Sequence, residues 1–142
     1  MILRAAHARD AEWIAPLYRQ HRDLAGAWYW SWRRRGESQQ TWLVAEQSAD
    51  GPSLGVVHFY YSDTRACWVV AEIVVAPLAK RSGVGRALLS AVPMPVELKT
   101  NEDNPESHGF YQALGFREIG RTTTRRGKPM VIYRKEAPCA AS

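Results

Sequence analysis

Residues 77–89 read Pro-Leu-Ala-Lys-Arg-Ser-Gly-Val-Gly-Arg-Ala-Leu-Leu, directly after the β-branched run Ile73-Val74-Val75 and Ala76. A strand stops at a proline, two basic residues, a serine and two glycines follow, and a helix-forming tail begins. Such a strand–turn–helix points the first backbone N–H groups of the helix outward, where they attract an anion. Lys80, Arg81 and Arg86 add positive charge around it. A Walker loop would need Gly-Lys-Ser/Thr, but Gly85 is followed by Arg86 and Ala87. A dinucleotide fingerprint would need a third glycine at position 88, which is Leu88. What remains is an anion site, suited to a pyrophosphate, built from Lys80, Arg81, Ser82, Gly83, Val84, Gly85 and Arg86. The competing reading is an ordinary turn whose glycines serve only close packing.

The elements that must position this turn follow from pattern and punctuation. Ile2–Ala5 reads as a short strand. Asp10 caps a helix with Trp13, Leu17 and Leu24 at helical spacing, bent at Pro16. A second helical or irregular segment ends near Gly36. Thr41–Gln47 and Leu54–Ser62 form a hairpin about the turn Ser-Ala-Asp-Gly-Pro-Ser, and Ala66–Ala76 is a long third strand. A helix from Val84 to about Ala91 is ended by Pro93 and Pro95, and Val96–Thr100 is a strand. Asn104, Pro105 and Gly115 mark the cap, first residue and end of another helix. A closing hairpin runs from Phe116 to Lys135. The order predicts one α/β domain over residues 1–136, with 137–142 as a disordered tail. Its expected architecture is a single mixed, mostly antiparallel sheet of six or seven strands with helices on both faces.

The chain has 142 residues and a formal net charge of +5, which favours anionic partners. No apolar run approaches the roughly 18 residues that span a bilayer, and the N-terminus has no apolar signal region. Two cysteines, Cys67 and Cys139, make no disulfide framework, so a reducing cytoplasm is expected. No cluster has metal-ligand spacing, and none forms a Ser-His-Asp or Cys-His set. The end Cys-Ala-Ala-Ser fits a prenylation box only formally and reads as a frayed tail. The segment Trp-Tyr-Trp-Ser-Trp-Arg-Arg-Arg, residues 28–35, has the oddest composition. Its rings either line a binding pocket or oligomer contact, pack under the sheet, or stack on nucleic acid.

The glycine turn resembles the acyl-CoA-binding motif of the GNAT superfamily of N-acyltransferases, Gln/Arg-x-x-Gly-x-Gly/Ala after a strand and a proline. Lys80, Gly83 and Gly85 fall on its fixed positions, with Lys80 departing from the usual residue but keeping the charge. Downstream, residues 104–116 resemble the family's Asn-x-x-Ala-x-x-Phe-Tyr-x-x-x-Gly-Phe segment: Asn104, Phe110, Tyr111, Gly115 and Phe116 match, and Ser107 replaces the alanine. The opening strand and helix are also similar, more weakly. The resemblance implies a sheet with a central splay, and acyl transfer from acyl-CoA, with acetyl-CoA the expected donor, to an amine in a ternary complex. It implies that the backbone of Val74 and Val75 pairs with the pantothenyl arm, that Asn104 and Tyr111 border the cofactor, and that Tyr111 protonates the leaving thiolate. Glu72 would be the base, and Trp28 and Trp30 would line the acceptor pocket. Each has a plainer reading: Tyr111 as a core aromatic, Glu72 as an exposed strand residue. His108, one helical turn before Tyr111, and His58 are lesser candidates. The acceptor would be a small-molecule or peptide amine, with neither nucleic acid nor membrane as partner and a homodimer as one arrangement. The rival is a non-catalytic domain of the same fold that binds CoA or nucleic acid.

Overall fold

A computed structural model describes residues 1–10, 12–13 and 40–137. The strands are β1 (Ile2–Ala5), β2 (Gln40–Glu46), β3 (Ser53–Ser62), β4 (Cys67–Val75), β5 (Val96–Asn101), β6 (Arg117–Thr123) and β7 (Pro129–Lys135). Among the described residues the helices with both ends placed are α1 (Val84–Ser90) and α2 (Pro105–Ala113), with single 3₁₀ turns at Ala8–Asp10 and Pro77–Ala79. Most of the first helix expected after Asp10 lies outside the described residues, as do the 28–35 segment and most of the tail. The seven strands form one sheet in the order β1-β2-β3-β4-β5-β7-β6. Every neighbouring pair is antiparallel except β4 and β5, which run parallel.

β4 and β5 pair only through Trp68, Val69 and Val70 against Val96, Glu97 and Leu98. On its other side β4 stays with β3, but the register shifts: His58 faces Glu72 while Phe59 faces Val70. Ala71 is therefore a bulge residue, the extra one on β4. A bulge bends its strand and sharpens its twist. Pairing with β5 ends at the residue before it, and from Glu72 onward β4 follows β3 alone. β5 meanwhile continues to Asn101 on β7. The central splay expected from the family resemblance thus has a local cause.

One face of the sheet carries Ala45, Val57, Phe59, Val70, Val96, Leu98, Val131 and Tyr133. Val84, Leu88 and Leu89 of α1 and Tyr111 of α2 close over it to complete the core. Strand alternation puts Trp42, Val44, Val56, His58, Glu72 and Val74 on the opposite face, where they too are buried. α1 lies close to β3 because residue 55 is glycine. A Cβ there would stand 2.8 Å from the Val74 carbonyl oxygen and 3.2 Å from side-chain carbons of both Leu88 and Val84. α2 is capped as its sequence predicts. Asn104 Oδ1 accepts from the Ser107 N–H at 3.3 Å. Gly115, at φ +91°, turns the chain so that the Phe116 N–H returns to the Tyr111 carbonyl at 3.1 Å.

Gly55→Ala should lower unfolding stability by about 1–3 kcal/mol, because backbone oxygen and two packed side chains must all give way. Urea denaturation measures this, and an unchanged midpoint would mean that α1 is not pinned at this point.

Candidate active site

Beyond the bulge, the two diverging strands leave a groove of about 680 Å³. Ile73, Val74 and Val75 line one side together with Lys80, Arg81, Gly83, Gly85 and Arg86 of the turn. Asn104, Ser107, Phe110, Tyr111 and Leu114 line the other. Val74 and Val75 pair with Val56 and Gly55 of β3, but their opposite edge has no partner in β5. Residues 80, 81, 83, 85 and 86 and residues 104 and 111, picked out separately in the sequence, therefore meet across one cleft, which Ser82 and Val84 do not line.

The turn is held open by backbone conformation. The Ala76 N–H bonds Leu54 O and the Ala79 N–H bonds Ala76 O, both at 2.8 Å. Ser82 Oγ donates to the Ala79 carbonyl, so this side chain braces the turn. Arg81 (φ +65°) and Gly83 (φ +85°) both adopt the left-handed conformation. Gly83 is the N-cap of α1 and supplies no side chain to the first-turn N–H groups. The two glycines differ in purpose. Gly83 is required by its φ, since a Cβ there would meet nothing within 4 Å. Gly85 sits against packing, since its Cβ would lie 3.1 Å from Phe110 Cζ on α2 and the ring would have to give. Val84 is buried in the core, so any contact with a ligand would be through its backbone.

Tyr111 is 8% exposed, and its ring packs on Phe110, Phe116 and Tyr133 at centroid distances of 5.4, 5.8 and 5.9 Å. It is therefore both a core aromatic and a groove residue, and the two readings do not exclude each other. Burial pushes its phenol up to about 12, so the hydroxyl keeps its proton across the working range of pH. Glu72 does not line the groove. It stands one residue before Ile73 on the opposite face of β4 and is buried, so the plain reading of it as an exposed residue is overturned. In register it completes a row across three strands, Trp42–His58–Glu72. Trp42 and His58 stack with centroids 4.0 Å apart and planes 4° from parallel. His58 Nε2 donates to Gln40 Oε1, which leaves Nδ1 as the basic nitrogen, without a hydrogen-bond partner among the described residues. Burial lowers the His58 pKa to about 4.

Trp28 and Trp30 lie outside the described residues. Among the described residues no group of three or more His, Cys, Asp or Glu side chains is placed to hold a metal ion. Also among these, no helix is long and apolar enough to cross a membrane. Sequence reasoning missed the Ala71 bulge and the partner of His108. That imidazole hydrogen-bonds Tyr133 on β7, which no spacing along the chain connects to it.

Residues 26–137 match the family of acetyltransferase (GNAT) domains, and the chain belongs to that family. It is 27% identical over 137 residues to YhfO, an uncharacterised N-acetyltransferase of Bacillus subtilis, covering 83% of this chain and 91% of that one. It is 33% identical over 116 residues to the mycothiol acetyltransferase of Clavibacter sepedonicus, covering 78% of this chain but 34% of that longer protein. The fold matches the crystal structure of a ribosomal-protein-alanine N-acetyltransferase from Brucella melitensis with a TM-score of 0.75 at 18% identity. That alignment covers 96% of this chain and all of the other (100%).

His58 also makes a stability prediction. Its folded pKa lies below the ordinary value of 6.5, so between about 6.5 and 4 the unfolded chain binds the extra proton. Stability should be fully present above this window and fall through it on acidification, by up to about 3 kcal/mol from this residue. His58→Phe keeps a ring against Trp42 and should flatten that part of the pH dependence. An identical profile in the variant would assign the acid sensitivity elsewhere.

Proposed function

We propose that this chain transfers an acyl group, acetyl foremost, from acyl-CoA to a primary amine by direct transfer with both substrates bound. The observation that supports this reading is the groove: two strand edges that part at a bulge, a basic glycine turn at its rim and a buried phenol on its far wall. Acyl-CoA supplies a thioester, with a carbonyl carbon open to attack and a thiolate that leaves. Lys80, Arg81 and Arg86, with the N–H groups of residues 82–85, hold its pyrophosphate. The unpaired edge of Val74 and Val75 takes the extended arm as an added strand, with a nearby N–H facing the thioester oxygen as charge grows there. Asn104 borders the arm from the start of α2.

An ammonium has no lone pair, so the acceptor must lose a proton before its nitrogen bonds the carbonyl carbon. Glu72 takes that proton from the face of β4 opposite the groove, and Trp28 and Trp30 line the approach. The C–S bond then breaks, the sulfur leaves with the electron pair, and the second proton given up by the new amide nitrogen ends on the sulfur. A phenol near 12 yields its proton uphill to a thiolate near 8.5, so Tyr111 serves first as a hydrogen-bond donor to the departing sulfur. The similarity to an enzyme named for a ribosomal-protein alanine supports an amine acceptor, either a small molecule or a peptide. Cys67, a free and buried thiol, suits a reducing cytoplasm.

Release of CoA from acetyl-CoA, followed across a panel of polyamines, amino acids and peptides, tests the reading. At least one amine should accelerate release, and Tyr111→Phe should lower kcat by roughly 10- to 100-fold with acetyl-CoA affinity little changed. Acetyl-CoA binding with no amine-dependent release would favour a non-catalytic domain. Unchanged kcat in Tyr111→Phe would remove the phenol from the mechanism.

A further inference from the structure

His108 lies on α2 one turn before Tyr111, so both side chains leave the same side of the helix. Its imidazole makes two hydrogen bonds. Nε2 lies 3.0 Å from the backbone carbonyl of Glu102, which can only accept, so Nε2 carries the proton. Nδ1 is then the nitrogen that accepts the hydrogen bond of the Tyr133 hydroxyl, at 2.6 Å. Tyr133 is 1% exposed in the core, and its ring packs on both His108 and Tyr111, with centroids 5.6 and 5.9 Å away. The Glu102 N–H in turn bonds the carbonyl of Pro129 at the start of β7 at 3.2 Å. One imidazole thus ties together the turn that follows β5, the helix α2 and the strand β7.

We infer that His108 is a positioning residue for Tyr111: by anchoring the Tyr133 hydroxyl it fixes the surface on which the Tyr111 ring rests and holds its phenol in the groove. The inference rests on the role proposed for Tyr111 as hydrogen-bond donor to the departing sulfur. His108 touches no reacting atom and moves no proton in the reaction. The ring also packs on Phe110 and Phe116, and the hydrogen bond to His108 sets the third contact, the one with Tyr133. α2 buries only Tyr111 fully, and the two ends of the helix are held by Asn104 and Gly115, several residues from the phenol. The hydrogen bond from β7 acts within one turn of it.

Two variants break the clamp from opposite ends. Tyr133→Phe removes only a hydroxyl and keeps the ring in the core, while His108→Phe removes the acceptor. With acetyl-CoA and the fastest amine of the panel above, each should lower kcat about 10-fold while the KM for acetyl-CoA stays within about twofold, as expected when a reacting group is misplaced. His108→Asn, whose amide oxygen replaces Nδ1 as acceptor, should restore most of the rate. In a Tyr111→Phe background neither variant should cost anything further, because the group they position has gone. In protein labelled with ¹³C at the tyrosine rings, the Tyr111 signal should shift in both variants, whatever the acceptor. Losses that persist undiminished beside Tyr111→Phe, or a Tyr111 signal unchanged by both variants, would overturn the positioning role. If Tyr111→Phe is itself without effect, the donor role of the phenol fails, and the positioning role falls with it.

Discussion

A parallel strand pair that must stop pairing halfway along its length sets the terms for the rest of this molecule. β4 is bonded to β3 throughout and to β5 only as far as Val70. The extra residue at Ala71 lets β4 change direction without losing β3. From there the unpaired backbone of residues 73–75 faces a cleft rather than another strand. The turn at residues 77–83 then starts from the diverging end of β4, which is why its basic side chains stand at the rim of the groove and not over the core. α1 approaches the sheet closely at Gly55, and the Phe110 ring of α2 approaches α1 closely at Gly85.

The same split gives the two faces of β4 different chemistry. On the helix side the groove has basic residues at its turn, apolar side chains along its walls and one phenol that burial keeps protonated. On the other side the row Trp42–His58–Glu72 is buried but polar, with an imidazole that burial keeps neutral. A proton donor and proton acceptors therefore lie on opposite sides of one strand, separated by its thickness. The proposed acyl transfer would use both sides, one for the proton that leaves the amine and the other for hydrogen bonding to the departing sulfur.

The elements were legible where local chemistry decides them. Asn104, Pro105 and Gly115 delimit α2 in the sequence and in the structure, and the strands of the β2–β4 meander begin and end within a residue or two of the turns that bound them. The glycine turn and the Asn104–Phe116 segment each marked one wall of the groove. The bulge was not legible, because Val69-Val70-Ala71-Glu72-Ile73 is apolar on both sides of the slip and no alternation is visibly broken. For the same reason Glu72 read as solvent-facing: a carboxylate in a strand is usually exposed, and its burial depends on strands and segments far away in the chain. Gly83 and Gly85 look equivalent in the motif, and only their conformations and neighbours show that one serves φ and the other packing. The bond between His108 and Tyr133 joins residues on a helix and on the interior strand β7, and nothing along the chain pairs them.

The central claim is that the backbone edge exposed by the Ala71 bulge is where an acyl-CoA is held. Amide hydrogen exchange of the ¹⁵N-labelled protein, with and without acetyl-CoA, tests it most directly. Slowed exchange is expected at Val74 or Val75 and in residues 80–86, with little change on β1, β2 or β6. Binding of acetyl-CoA that leaves the residue 73–75 and 80–86 amides unchanged, or that protects a different part of the sheet, would contradict it.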